Sequence, residues 1–171
     1  MIALVLGKPS SGKSAFAEEL ALNCSFSNRY YIATMKVMDD EGRKRIERHR
    51  IMRKGKGFVT LEIPIDIMNA LDHMPDPKES VVLLECVANL TGNMLYDTGY
   101  THALAKSIAD CVSGLSSSVG QLIAVSSEYE PDRFDDEETA VYKKVLNEVN
   151  IILKDRADEV YDMSDLQEGK G

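Results

Sequence analysis

The sequence lacks several things, and each absence narrows the field. It has three cysteines, Cys24, Cys86 and Cys111. They are odd in number and widely spaced, which excludes a disulfide framework and zinc-ligand spacing and predicts reduced thiols in a cytoplasmic protein. No apolar run approaches the roughly 20 residues that a membrane span needs. Met1 opens an apolar run that reads as a core strand, so no signal peptide is expected ahead of the fold. Internal repeats and long linkers are also missing. The 171 residues are therefore expected to form a single domain over 1–171, with a polar tail from about residue 165 (Asp165 to Gly171) expected to fray. Excess positive charge is lacking too: the net charge of −8 argues against general nucleic-acid binding.

The charge is unevenly spread. Between Arg43 and Lys56 stand eight basic residues and one acid, Glu47, so this stretch carries +7 and the rest of the chain −15. A basic island on an acidic body points to an anionic ligand at that place.

The strongest local signal lies at the start. Gly7-Lys8-Pro9-Ser10-Ser11-Gly12-Lys13-Ser14 fits the phosphate-loop pattern G-x-x-x-x-G-K-[ST]. It follows the apolar run Met1 to Leu6 and precedes a segment of good helix formers, the strand–loop–helix setting the pattern requires. Gly7 and Gly12 permit backbone conformations in which successive N–H groups face phosphate oxygens. Lys13 supplies a charge for the β- and γ-phosphates, and the Ser14 hydroxyl can ligate Mg²⁺.

Beyond the loop, short apolar runs predict strands at Ile2–Leu6, Tyr30–Ala33, Phe58–Ile63, Val81–Cys86, Gln121–Ser126 and Glu159–Met163. Helices are predicted over Lys13–Asn23, Asp40–Arg53, Ile65–Leu71, Leu90–Tyr96, Ala103–Leu115 and Glu137–Lys154. The alternation predicts an α/β fold, P-loop NTPase-like, with a mostly parallel sheet flanked by helices on both faces. The run Val81 to Leu84 ends in Glu85, placed as a carboxylate that helps to hold Mg²⁺ beside the loop. His49 sits in the basic island with Arg45 and Arg53 four residues to either side, hence on one helix face, and Asp39 or Asp40 can cap that helix. A weakly anchored cationic helix of this kind can lie over a triphosphate, and a neutral imidazole there can attack phosphorus. Spacing alone favours a solvated basic helix with an incidental histidine. His73 and His102 read as structural or exposed, Asn89 and Asn93 as a polar helix face, Cys86 as a small core residue, and the acids from Asp132 to Glu138 as a solvated loop and helix start.

A wider pattern shifts this balance. The loop is followed by Tyr31-Ile32-Ala33-Thr34, Asp39-Asp40-Glu41, Arg45-Ile46-Glu47-Arg48-His49-Arg50-x-x-Arg53, Thr60-x-Glu62-x-Pro64, Leu83-Leu84-Glu85-Cys86 and Asn93-Met94-Leu95. In order and spacing this resembles the bifunctional adenosylcobinamide kinase / adenosylcobinamide-phosphate guanylyltransferase family of cobalamin assembly. The specific motifs run from residue 1 to about 95, and the likeness continues more thinly to Met163. Lys8 stands where the family usually has a second glycine.

The resemblance implies phosphorylation of adenosylcobinamide by a nucleoside triphosphate, then GMP transfer from GTP through a GMP–histidine at His49. It implies GTP, ATP and Mg²⁺ as cofactors, catalytic roles for His49, Lys13 and Glu85, and Mg²⁺ held by Ser14 and Glu85. Nucleotide contacts fall on Gly7 to Ser14 and on Ala33, Thr34, Met35, Arg50, Ile51, Met52, Arg53, Glu62 and Glu85. Adenosylcobinamide or its phosphate would be the small-molecule partner, with no nucleic acid and no membrane span, and the assembly a homotrimer. Two other functions fit the residues: a P-loop kinase for another small alcohol with the histidine idle, and a degenerate nucleotide-binding regulatory protein.

Overall fold

The computed structural model describes residues 1–164, and the tail expected to fray, Asp165 to Gly171, lies outside them. Six strands form one parallel sheet: β1 (Ile2–Gly7), β2 (Asn28–Ala33), β3 (Phe58–Glu62), β4 (Ser80–Glu85), β5 (Gln121–Ser127) and β6 (Glu159–Asp162), in the order β3-β2-β4-β5-β1-β6. Five α-helices connect them: α1 (Lys13–Asn23), α2 (Asp40–Arg53), α3 (Val87–Thr98), α4 (Leu104–Ser118) and α5 (Glu137–Arg156).

Each central strand is buried on both faces, which explains its continuous Val, Ile and Leu content. The two-residue alternation of a strand divides those side chains between two apolar layers. Leu4, Leu6, Ile32, Val82, Leu84, Leu122 and Ala124 pack with residues of α3, α4 and α5. Ala3, Val5, Tyr31, Leu83, Ile123 and Val125 pack against Ala17 and Ala21 of α1. The expected α/β sheet with helices on both faces is the observed architecture.

The helix expected over Ile65–Leu71 is instead a 3₁₀ helix over Ile67–His73. Its two buried residues, Ile67 and Ala70, stand three apart, and the three-residue turn places such positions one above the other. The acids between Asp132 and Glu138 form the expected loop and helix start, with Asp135 the exception. Asp136 caps α5 by accepting from Thr139 N at 2.7 Å. Asp135 turns inward, and both its oxygens lie 2.8 Å from Lys143 Nζ.

Because all six strands run the same way, Gly7, Ala33, Glu62, Glu85, Ser127 and Asp162 end on one edge of the sheet. The crevice outside carboxyl ends of this kind is where open α/β sheets take ligands.

Candidate active site

The phosphate loop leaves β1 at Gly7 and enters α1 at Lys13. A Cβ on Gly7 would collide with the Ser11 hydroxyl. Gly12 has φ 83°, a conformation that favours glycine. Lys13 is buried, and its Nζ donates to the Lys8 carbonyl at 3.2 Å across the loop. Burial holds its ammonium below the usual lysine range, and neighbouring Arg45 adds to that while Cys86 and Glu85 oppose it. A cation kept desolvated inside a loop of backbone amides fits an incoming polyanion.

Helix α2 is capped by Asp39, whose side chain accepts from Gly42 N at 2.7 Å. Of its 14 residues only Arg53 is buried, in keeping with the weak apolar anchoring expected from sequence. The helix lies over the loop and carries His49 to the end of β4. His49 Nδ1 stands 3.1 Å from Glu85 Oε2, and the Tyr31 hydroxyl donates to that same oxygen and lies 3.4 Å from Nδ1. The guanidinium of Arg53 stacks over the Tyr31 ring, its carbon 3.4 Å from the centroid. Arg50 pairs with Glu62 at 2.6 Å. The imidazole is therefore seated on a carboxylate and a phenol, not on the two arginines that helical spacing places beside it.

Burial would push the Glu85 carboxyl up, but hydrogen bonds from His49, Ser14 and Tyr31 together hold it below the usual carboxylate range. The carboxylate is an acceptor only, so an Nδ1–H of His49 donates to it, and in that tautomer the lone pair lies on Nε2. Burial, and next the Glu85 charge, push the Tyr31 phenol up, so it stays a donor.

Two spaces open here. A small one of about 50 Å³ is lined by Lys13, Ser14, Tyr31, His49, Arg53 and Glu85. A larger cleft of about 690 Å³ lies between Pro9–Ala15 of the loop and the face of α2 that carries Arg45, Arg48, His49 and Met52. Most residues expected to contact nucleotide meet one of these spaces. Ala33, Arg50, Arg53, Glu62 and Glu85 line the first, Met52 the second, and Met35 both. Thr34 and Ile51 meet neither. Thr34 is fully buried, and its hydroxyl donates to Cys86 O and accepts from Cys86 N, tying the ends of β2 and β4 together. Ile51 is 63% exposed on the outer face of α2. Lys8 faces the opposite side of the loop, along a third space beside α5.

Tyr31 carries no role in the sequence reading, although it belongs to a quoted motif, because a tyrosine within an apolar strand reads as core. Asn89, expected only as part of a polar helix face, lines both spaces at the first turn of α3. Its position four residues past the acidic strand end was the available signal. Asn93 is structural: its amide donates to Thr34 O at 2.8 Å and Pro64 O at 2.9 Å. Cys86 is buried, as a small core residue should be.

The chain has relatives among known proteins. The family described as cobinamide kinase / cobinamide phosphate guanyltransferase (CobU) matches residues 3–165. Over 99 residues the chain is 41% identical to the bifunctional adenosylcobalamin biosynthesis protein CobU of Escherichia coli (strain K12), a match covering 58% of this chain and 52% of that protein. Over 101 residues it is 36% identical to the protein of the same description from Salmonella typhimurium (strain LT2), with the same coverage. The chain thus spans about half the length of these relatives. Among solved structures, an ATPase domain superposes with a TM-score of 0.53 at 13% identity, covering 94% of this chain and 68% of that one, a likeness of fold alone.

Proposed function

Because the chain belongs to the cobinamide kinase / cobinamide phosphate guanyltransferase family, we propose that it phosphorylates adenosylcobinamide with a nucleoside triphosphate and then transfers GMP from GTP to the product through His49. The observation that carries this reading is the seat of His49. Its Nδ1 rests on Glu85, and its ring lines the cleft opposite the phosphate loop. Nε2 attacks the α-phosphorus of GTP held on the loop. A nitrogen–phosphorus bond forms, the α–β bridging bond breaks, and pyrophosphate leaves. A phosphate oxygen of adenosylcobinamide phosphate then attacks the same phosphorus, and the nitrogen–phosphorus bond breaks to give adenosylcobinamide-GDP and free histidine. Dividing one transfer into two lets a single phosphate loop serve both halves.

The protein groups have separable tasks. Glu85 and Tyr31 orient the imidazole by engaging Nδ1, which leaves Nε2 as the nitrogen available for attack. Lys13 and the loop amides stabilise charge gathering on the departing pyrophosphate. Arg45 brings positive charge to the walls of both spaces, and Arg53 to that of the smaller one. A magnesium ion fits the residues present: Ser14 and Glu85 line the same small space, and Glu85 Oε1 is buried without a hydrogen-bond partner among the described residues. When bound with the triphosphate, such an ion neutralises phosphate oxygens.

The test is intact-mass spectrometry after exposure to GTP and Mg²⁺. The expected product is a protein heavier by one GMP, acid-labile and base-stable, and absent in His49→Ala. An unaltered mass in the wild-type chain removes the transferase step, and an adduct that survives in His49→Ala moves it to another residue.

A further inference from the structure

The phosphate loop has open space on both of its sides, and the relay at His49 uses only one. On the other side, between the β5–α5 connection, α5 and the end of β6, lies a cavity of about 700 Å³ that Lys8 of the loop itself lines. The two are held in register by the backbone, since Glu128 N donates to Gly7 O at 3.1 Å. We propose that this second cavity receives the base and ribose of a purine nucleoside triphosphate whose phosphates lie on the same loop, so that the loop binds nucleotide in two alternative orientations. The inference rests on the reading of the loop as a triphosphate site.

Charge decides which end of a nucleotide the cavity accepts. Five acidic residues face it against three lysines, among them Asp162 and Lys8. A polyphosphate is repelled by that lining, whereas an uncharged nucleoside is not, and carboxylates accept from base N–H groups and ribose hydroxyls. The cleft under α2 carries Lys36, Arg45 and Arg48 on its wall and suits the phosphate chain. The cavity is also built rather than loose. Lys143 bonds both oxygens of Asp135 at 2.8 Å and the Glu130 carbonyl at 3.0 Å. Buried Asn150 fixes the end of β5 by accepting from Ser126 Oγ at 2.7 Å and donating to Ser127 O at 3.0 Å. Tyr129, partly exposed at the rim, offers a flat ring for a purine to stack on. The volume lies within the roughly 300–1,000 Å³ of small-molecule sites.

The two orientations have different chemical consequences. With its nucleoside under α2, a triphosphate presents its α-phosphorus to His49. With its nucleoside against α5, the α-phosphorus is carried to the side away from that imidazole, and only the terminal phosphoryl remains at the cleft for an alcohol to take. One loop can then run a kinase step and a nucleotidyl transfer without capturing the kinase nucleotide on the histidine.

Photolabelling of the wild-type chain with 8-azido-ATP and Mg²⁺, followed by peptide mapping, tests the placement directly and needs no turnover. Label within residues 128–150 that ATP displaces is expected. Label confined to residues 35–53, or no label that ATP displaces, overturns the second subsite. A functional arm uses Asn147→Arg, which projects a long side chain into the cavity from an exposed position on α5. The KM for ATP in the kinase step should rise at least tenfold, while formation of the GMP adduct with GTP stays within twofold of wild type. Equal damage to both steps, or to neither, overturns the proposal. A wild-type chain that forms no adduct would remove the histidine relay, and the photolabel map would still decide the subsite.

Discussion

Helices α2 and α4 are nearly equal in length, 14 and 15 residues, and are held by opposite means. Helix α4 buries seven residues, from Leu104 to Ser116, against the sheet and the 3₁₀ helix. Helix α2 buries Arg53 alone and is attached through polar groups: Arg50 to Glu62, Arg53 on Tyr31, and His49 to Glu85. The groups that fasten α2 over the loop are largely those that would act on a nucleotide. Attachment and chemistry therefore share residues on one side of the sheet and are separate on the other. An element with few buried apolar contacts also belongs to the low end of local stability, which suits a helix that must admit and release a ligand.

Substitutions can break or sharpen that contrast. The largest effect is expected from Lys13→Ala, which removes the buried ammonium of the loop. Nucleotide turnover should fall about 10²- to 10³-fold in steady-state assays, the scale of losing one preorganised charge donor. Ile108→Ala on α4 should act on stability instead, by about 3 kcal/mol in urea unfolding, with GMP-adduct formation unchanged. A loss below about 1 kcal/mol would show that α4 is not fastened by burial.

A titration addresses Glu85. Its carboxyl is held below its ordinary range by its donors in the folded chain, so it contributes stability that is fully present above that range and is lost as pH falls through the depressed value. Glu85→Gln should flatten the acid limb of stability against pH, measured by urea unfolding at stepped pH, and an unchanged limb would separate Glu85 from those hydrogen bonds. The smallest effect is expected from Ile51→Ser on the outer face of α2: under about 0.5 kcal/mol of stability and no change in nucleotide affinity. A clear loss of affinity would bring Ile51 back into the nucleotide site.

How legible each part was follows from how local its cause is. The phosphate loop could be read because its pattern is written in eight consecutive residues, with a glycine at position 12 where φ is 83°. The strands could be read because burial on both faces demands unbroken Val, Ile and Leu. The type of the helix over Ile67–His73 could not be read because its apolar pattern is too brief to separate periods of 3.0 and 3.6. The cluster around His49 depended on partners 18 and 36 residues away, Tyr31 and Glu85, which parallel pairing of β2 with β4 brings side by side. Sequence spacing could supply only the helical neighbours Arg45 and Arg53, and so surrounded the imidazole with cations where the folded chain sets a carboxylate. Thr34 could be seen as polar and near the site, but not that its hydroxyl was already engaged by Cys86.

The most direct measurement is nitrogen–phosphorus coupling in the ¹⁵N-histidine-labelled protein after exposure to GTP. With Nδ1 committed to Glu85, coupling is expected at Nε2 of His49. Coupling at Nδ1, or a spectrum with no nitrogen–phosphorus bond at all, would contradict a histidine poised by that carboxylate.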